Sequence, residues 1–341
     1  MEEMDMDPKR RSLITTLAFA GVGLHPMAKA VAAGTDGSGA ASAWPARPVR
    51  LLAGGAGTVP DIRARWLAER LGAALGQPVV VENIAAAGGS VAAQTVARAA
   101  PDGHTLLMLT QGQATINPHL YPKLGYDPLA ELAPVTRFGV GPLLVLVPAA
   151  SPWTSLRDLV DAARRSPGSI QYGSPGVGTP PHLSAELLLQ SLGVTGQHIP
   201  YNGNGPMLAG LLGGGQVQWA LEGLAASVPH VRAGRLRALA VTSARRNSAV
   251  PDVPTAAEAG AVGFEYLGWT GLAAPAGTAA PIVHRLAEEV HRIAESDEAR
   301  RWFGNLGSEP GTLRPDEFAS LIRAEHAKWG ELIRSRRIEA Q

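Results

Sequence analysis

The sequence predicts an α/β fold arranged as two domains with a cleft between them. From residue 49 to residue 242, short β-branched runs alternate with amphipathic helical stretches, as in parallel sheets that are covered by helices on both faces. The last third departs from this rhythm, because an apolar strand is followed there by two long helices. At 341 residues, the chain is also long enough to form two separate cores.

The alternation assigns the elements in chain order. The predicted strands cover residues 49–52, 79–82, 105–109, 143–147, 170–172, 197–200, 216–221, 237–242 and 264–273. The predicted helices cover residues 61–75, 91–99, 155–165, 183–192, 206–212, 281–296 and 315–334. In the last helix the apolar residues Phe318, Leu321, Ile322, Trp329 and Ile333 recur with a period near 3.6, so this helix is expected to cover a sheet.

The two domains are predicted to share the chain unequally. We expect a crossing to the second domain near Leu143 and a return near Tyr266. The first domain then comprises residues 44–142 and 266–341, and the second comprises residues 143–265. Two crossing strands between two lobes form a hinge, and the cleft beside a hinge is a usual place for a small ligand.

The first 30 residues have the features of a secretory signal peptide. A basic run at 9–11 precedes an apolar stretch at 13–24, and Ala28-Lys29-Ala30 offers a cleavage site. Arg10-Arg11 also fits a twin-arginine signal, so both export routes stay open, as does a start at Met6. The alternative is a buried N-terminal helix. Residues 31–43 are predicted to be a flexible linker, and we expect the cleaved protein in the periplasm.

Composition and motif content exclude several classes of function. A net charge of +1 lacks the excess of positive charge that is typical of nucleic-acid-binding proteins. The sequence contains no Cys, which excludes disulfides, thiol catalysis and a lipid anchor on an N-terminal Cys. It contains no Gly-x-Ser-x-Gly, His-Glu-x-x-His or Walker A motif, and its His residues are scattered singly. We therefore expect neither an enzyme nor a bound metal or cofactor.

The first glycine-rich loop, residues 54–61, joins a predicted strand to a predicted helix. Its backbone N–H groups and the helix dipole make it a candidate anion site, with Gly57 and Thr58 as ligand contacts. Thr58 and Asp61 also fit a capping box, so Asp61 either contacts the ligand or only braces the loop. A dinucleotide site is the rival interpretation, with Glu82 on the ribose, but Pro60 occupies the third glycine position.

Further loops repeat this arrangement. Residues 85–90 again link a strand to a helix and offer Gly88 and Gly89 as donors, or form only a tight turn. In the second domain, residues 172–183 place hydroxyl groups at a strand-to-helix junction, where Thr179 suits the N-cap and Pro180 the first helical position. The candidate ligand contacts of this loop and of the following loop, 200–206, are Ser174, Gly178, Thr179, His182 and Tyr201. For His182 a structural role at the helix start is favoured over ligand contact, and for Tyr201 a structural turn is the alternative.

These loops, in this order, resemble the extracytoplasmic binding proteins of tripartite tricarboxylate transporters, the Bug or TctC-like family. The likeness covers residues 44–335 and is carried by VVVEN at 79–83, APDGHTLL at 100–107, INP at 116–118, YDP at 126–128, the loop 174–183, PYNG at 200–203, GRLRALAVT at 234–242, PDVPT at 251–255, LAAPAGT at 272–278 and EHAKW at 325–329. The first loop departs from the family, since it lacks the usual aromatic-Pro pair, and Glu222 stands where Asp is frequent.

The resemblance implies a two-lobed periplasmic binding protein fold, type II-like, whose lobes close on a small carboxylate. It completes the candidate ligand set with Gln111 and Glu222. It also implies that the partners are the integral membrane subunits of a tripartite transporter, with no nucleic acid, and we expect a monomer. Family ligands range over dicarboxylates, citrate-like acids, acidic amino acids and aromatic acids. The alternatives are a nucleotide-binding α/β enzyme and a binding protein that serves a sensor kinase.

Overall fold

The computed structural model describes residues 44–84, 89–214 and 217–339. The predicted signal peptide and linker therefore lie outside the described residues, as do Gly88 and Gln216. Within the described part of the chain, no helix is both long enough and apolar enough to span a membrane.

Strands and helices alternate through most of the chain. The strands are β1 (Val49–Ala53), β2 (Val79–Asn83), β3 (Thr105–Thr110), β4 (Leu132–Gly141), β5 (Leu143–Pro148), β6 (Gln171–Ser174), β7 (Gln197–Pro200), β8 (Trp219–Gly223), β9 (Leu236–Val241), β10 (Gly268–Pro275) and β11 (Glu309–Pro310). The helices are α1 (Val59–Leu75), α2 (Ser90–Ala97), α3 (Asn117–Leu120), α4 (Leu156–Arg165), α5 (Pro180–Ser191), α6 (Asn204–Leu212), α7 (Leu224–Arg232), α8 (Ala280–Ala294), α9 (Asp297–Asn305) and α10 (Pro315–Arg336), and a π-helical turn spans Gly112–Ile116.

The strands form two mixed sheets. The first sheet has the order β11-β4-β10-β3-β1-β2, in which β1 pairs in parallel with β2 and β3. The second has the order β7-β6-β8-β5-β9, in which β6 pairs in parallel with β7 and β8. Apolar clusters cover both faces of each sheet, as expected when helices flank parallel strands. The predicted two-lobed α/β fold is confirmed.

Two chain segments connect the sheets. One runs from Gly141 into β5, and the other returns from Tyr266 into β10. Thr242 ties them together, because its hydroxyl accepts from the Leu143 N–H at 2.8 Å and donates to the Tyr266 carbonyl at 2.8 Å. The C-terminal half of α10 also packs into the core of the second sheet through Trp329. The domain boundaries at 142/143 and 265/266 remain a prediction.

Several parts of the sequence assignment differ from the structure, including helix α9, which was not predicted. The predicted strand 264–273 is wrong at its start, because the observed strand begins at Gly268. Residues 264–267 are not part of it, and Phe264 and Tyr266 are buried in the core of the second lobe. Strand β4 was not predicted, since Pro134 and Gly139 lower its β propensity. Helix α7 was also missed, because it contains Pro229 in its interior.

Candidate functional site

A cleft of about 590 Å³ opens between the two sheets. Its lining comes from the loops that follow β1, β3, β6 and β8, so the carboxyl ends of strands in both sheets face one cavity. In open α/β sheets this is where ligands bind, because the loops and helix N-termini converge there. The apolar part of the lining includes Val59, Ile62, Leu143, Val177, Leu224, Trp269 and Leu306.

Thr58 lines the cleft, whereas Gly57 and Asp61 are not among its lining residues. Asp61 is only 3% exposed, and it accepts hydrogen bonds from the Gly57 N–H and from Asn83 Nδ2, both at 2.8 Å. Burial raises the pKa of Asp61, but hydrogen bonds from Asn83, Gly57 and Arg65 outweigh it and leave the pKa below its ordinary value. Asp61 therefore remains ionised and braces the loop.

The capping box predicted at Thr58 is wrong. Thr58 is the N-cap residue of α1, but its side chain makes no capping hydrogen bond. Its hydroxyl instead donates to the Gly55 carbonyl at 2.6 Å, and the Asp61 side chain accepts from the Gly57 N–H rather than from that of Thr58. The two side chains thus stabilise the loop ahead of the helix, with Thr58 at the cavity.

Gly89 and Gln111 both line the cleft, and buried polar side chains hold each of them in place. Gln113 donates from Nε2 to the Gly89 carbonyl at 2.7 Å and accepts from the Thr110 N–H at 2.9 Å, so it joins two loops of the wall. Gln111 accepts from the Tyr266 hydroxyl at 2.7 Å and donates to Glu325 at 2.9 Å. Burial raises the pKa of Tyr266, which keeps this hydroxyl a donor.

In the second lobe, Gly178 and Thr179 reach the cleft. The Gly178 N–H donates to His182 Nδ1 at 3.0 Å, and the Thr179 hydroxyl donates to the Gly176 carbonyl at 2.7 Å. Thr179 is the N-cap residue of α5, but it makes no side-chain cap bond. The predicted capping position is therefore correct, and the expected capping hydrogen bond is not formed.

Three predicted contacts, Ser174, His182 and Tyr201, are not among the residues that line the cleft. Ser174 is fully buried, and its Oγ lies 2.6 Å from His198 Nε2. The His182 ring stacks on that of His198 with centroids 3.7 Å apart, and burial lowers the pKa of His182 to about 3. Tyr201 packs in the apolar cluster on the other face of the second sheet. These side chains support the lobe from inside.

We expect Ser174→Ala to cost about 1 kcal/mol of unfolding free energy, because His198 Nε2 loses its partner. The affinity for the ligand should stay within about twofold of wild type, since Ser174 does not line the cleft. Urea denaturation and calorimetric titration measure the two quantities, with Thr179→Ala as the cleft-lining comparison. A tenfold loss of affinity at unchanged stability would place Ser174 in the site.

Glu222 lies in the second-lobe wall of the cleft and is 4% exposed. Its carboxylate accepts from Asn204 Nδ2 at 2.7 Å and from the Gly223 N–H at 2.7 Å. Burial raises the pKa of Glu222 to about 7, although these two hydrogen bonds oppose the shift. The cleft therefore contains a carboxyl group that titrates near neutral pH.

Arg63 lines the opposite wall, and the sequence analysis missed it. It is 4% exposed, and its Nη1 donates to the Gly139 carbonyl at 3.2 Å and to Thr270 Oγ1 at 3.0 Å. Burial lowers the pKa of Arg63 to about 10, so the side chain is still a cation at neutral pH. Its spacing of four from the buried Leu67 places it on the inner face of α1, and that signal could have found it.

The fold and the cleft define a two-lobed solute-binding protein. The family model described as tripartite tricarboxylate transporter family receptor matches residues 63–338, and the chain belongs to this family. Protein BugT of Bordetella pertussis is 34% identical over 299 residues, covering 86% of this chain and 90% of its own length.

Two solved structures from Rhodopseudomonas palustris are similar to this chain. Rpa4515 with adipate has a TM-score of 0.77 and 35% identity, covering 87% of this chain and 100% of its own. MatC with bound malate has a TM-score of 0.72 and 33% identity, covering 85% of this chain and 100% of its own. Adipate and malate, the molecules in these two structures, are both small carboxylates.

Proposed function

We propose that this protein captures a small carboxylate in its interlobe cleft, outside the cytoplasm, and presents it to the membrane subunits of a tripartite transporter. The observation that carries the proposal is the cleft itself, at the carboxyl ends of strands in both sheets of a receptor-family chain. The proposal includes export with cleavage near Ala30, a monomeric state and no catalytic activity. Predicted residues that reach the cleft and support the proposed site are Thr58, Gly89, Gln111, Gly178, Thr179 and Glu222.

The wall of the cleft favours an anion. Helices α1, α5 and α7 begin beside the lining residues Thr58, Thr179 and Gly223, so the positive ends of three helix dipoles adjoin the cavity. Pro180 and Pro181 remove backbone donors from the first turn of α5. Binding at that wall therefore depends more on the Gly178 loop and the Thr179 hydroxyl.

A nucleotide-binding enzyme, the alternative interpretation, would need Glu82 to contact the ribose, and the position of Glu82 does not support this. Glu82 does not line the cleft, and it forms a two-bond ion pair with Arg50, at 2.8 and 2.7 Å. The hydrogen bond from Arg50 lowers the pKa of Glu82, so this carboxylate is ionised and already paired with Arg50. Among the described residues, no group of three or more His, Cys, Asp or Glu side chains could hold a metal.

We expect a carboxylate ligand to stabilise the protein, and NAD and ATP to leave its stability unchanged. At 100 times its dissociation constant, a one-site ligand adds about 2.7 kcal/mol to the free energy of unfolding. Thermal denaturation of the purified protein against adipate, malate, citrate, glutamate and benzoate measures this, and native mass spectrometry identifies any acid that co-purifies. Stabilisation by NAD or ATP alone would reject the proposal.

A further inference from the structure

Arg63 differs from the other arginines of helix α1 in having no acidic partner. Arg65 pairs with Asp61 at 3.0 Å, and Arg70 pairs with Glu298. Both of those side chains are more exposed than Arg63, which is 4% exposed. Among the described residues, Arg63 donates hydrogen bonds only to a backbone carbonyl and a threonine hydroxyl, lies over the Phe303 ring at 5.3 Å, and has no carboxylate partner.

A buried guanidinium without a counter-ion is unfavourable for folding. Removing a cation from water costs several kcal/mol, and neutral hydrogen-bond acceptors return only part of that cost. A neutral side chain such as Met would fill the same volume without this cost. Arg63 therefore needs a role that offsets its burial, and an anion that enters the cleft would supply the missing counter-ion.

The free part of the guanidinium is the edge formed by Nε and Nη2. Nη1 donates both hydrogen bonds of Arg63, and Nε is buried without a partner in the part of the chain that the structure describes. In Arg50 the corresponding atoms, Nε and Nη2, donate two parallel hydrogen bonds to the Glu82 carboxylate. This two-bond geometry is the strong one for an arginine and a carboxylate. A Cβ on Gly141 would stand 3.8 Å from Arg63 Nη2, so this glycine keeps the space beside the edge open.

We infer that Arg63 is the residue that selects an anion in the cleft, by pairing its Nε–Nη2 edge with an acid group of the ligand. This inference rests on the proposed function. Nε is shielded from solvent, so pairing requires the guanidinium to turn toward the cavity that Arg63 lines. The lining of the cleft is mostly apolar and includes Ile62, Leu143 and Leu306. The class of ligand is an organic acid with an apolar chain or ring, and its uncharged amide is rejected.

The test is calorimetric titration of wild type, Arg63→Met and Arg63→Lys with adipate and benzoate, each beside its amide. A hydrogen bond to a charged group is worth about 1.5–3 kcal/mol, so Arg63→Met should weaken acid binding about ten- to a hundredfold. The preference for acid over amide should disappear with it, and Arg63→Lys should retain part of both. Arg70→Met removes the same charge from the same helix outside the cleft, and should bind as wild type does.

The melting temperature of the unliganded variant separates this role from a structural one. Replacing an unpaired buried cation with an apolar side chain should leave the melting temperature unchanged or raise it. A lower melting temperature together with wild-type affinity would overturn the inference and leave the proposed function standing. If wild type binds neither acid and co-purifies with no anion, the proposed function fails, and the inference fails with it.

Discussion

Carboxylate binding should weaken as the pH rises above 7, and the contribution of Glu222 to the stability of the unliganded protein should fall between pH 4.5 and 7. Both effects come from Glu222, whose pKa burial raises from 4.5 to about 7. Below pH 4.5 the carboxyl is protonated in both the folded and unfolded states. Between pH 4.5 and 7 the unfolded chain releases the proton while the folded protein keeps it, so about 3 kcal/mol of stability is lost as the pH rises.

The effect on binding follows from charge. A protonated Glu222 is neutral and can donate a hydrogen bond, whereas the ionised form adds a negative charge to the wall that receives an anion. Affinity should therefore fall by up to about tenfold per pH unit above the pKa, by linkage between proton and ligand. Arg63 does not cause this change, since the pKa of its side chain is about 10.

Glu222→Gln isolates this group, because the amide has the shape of the protonated acid and does not titrate. Between pH 5 and 8.5 the variant should gain stability relative to wild type by most of that loss of about 3 kcal/mol, and it should lose most of the fall in affinity, as measured by urea denaturation and calorimetric titration. Glu309→Gln removes one exposed carboxylate and should keep the wild-type slopes. Parallel slopes for wild type and Glu222→Gln would show that Glu222 ionises normally.

Much of the fold could be predicted because local patterns and long-range packing agree in it. Each β-branched run is followed by an amphipathic stretch, so strands such as β1 and helices such as α1 could be located to within a few residues. Strand-to-helix junctions could be predicted as the cleft wall for the same reason, since parallel strands bring their carboxyl ends together. Thr58, Gly178 and Thr179 were found in this way.

The direction of a side chain at the end of a strand could not be predicted in the same way. Ser174 and Thr179 both supply a hydroxyl to one loop, but Ser174 turns inward to His198, which is 24 residues away in sequence. Asp61 and His182 likewise satisfy backbone N–H groups of their own loops. A polar residue in a glycine-rich loop fits a bracing role and a ligand contact equally well, and only the three-dimensional partners separate them.

Contacts between distant segments place two residues of the cleft, Gln111, which only the family resemblance indicated, and Arg63, which was missed. Gln111 is held by Tyr266 and Glu325, which are 155 and 214 residues away in sequence. Arg63 enters the cleft because Gly139 and Thr270, from two other strands, accept from its Nη1. Such partners cannot be identified from a local sequence pattern. An arginine on the apolar face of a helix is nevertheless unusual, because arginines are rarely buried without a partner.

A large loss of stability should come from adding one methyl group at Gly271, in the middle of β10. A Cβ there would lie 2.6 Å from the Thr136 carbonyl oxygen and 2.6 Å from the Phe318 ring. The ring is fully buried, and the oxygen belongs to the neighbouring strand, so relief would require β4 and β10 to separate. We expect Gly271→Ala to cost about 3 kcal/mol or more, at the upper end for overpacking.

Gly304→Ala is the matched control, because it adds the same methyl group in helix α9, where nothing lies within 4 Å. It should leave stability unchanged or raise it by about 0.5 kcal/mol. Urea denaturation measures both variants, and Phe318→Leu in the Gly271→Ala background should recover only part of the loss, since the Thr136 oxygen remains in the way. Wild-type stability for Gly271→Ala would contradict the pairing of β10 beneath α10. The expected loss would show that the first sheet requires a glycine at this position, because a strand and a helix approach it closely from opposite sides.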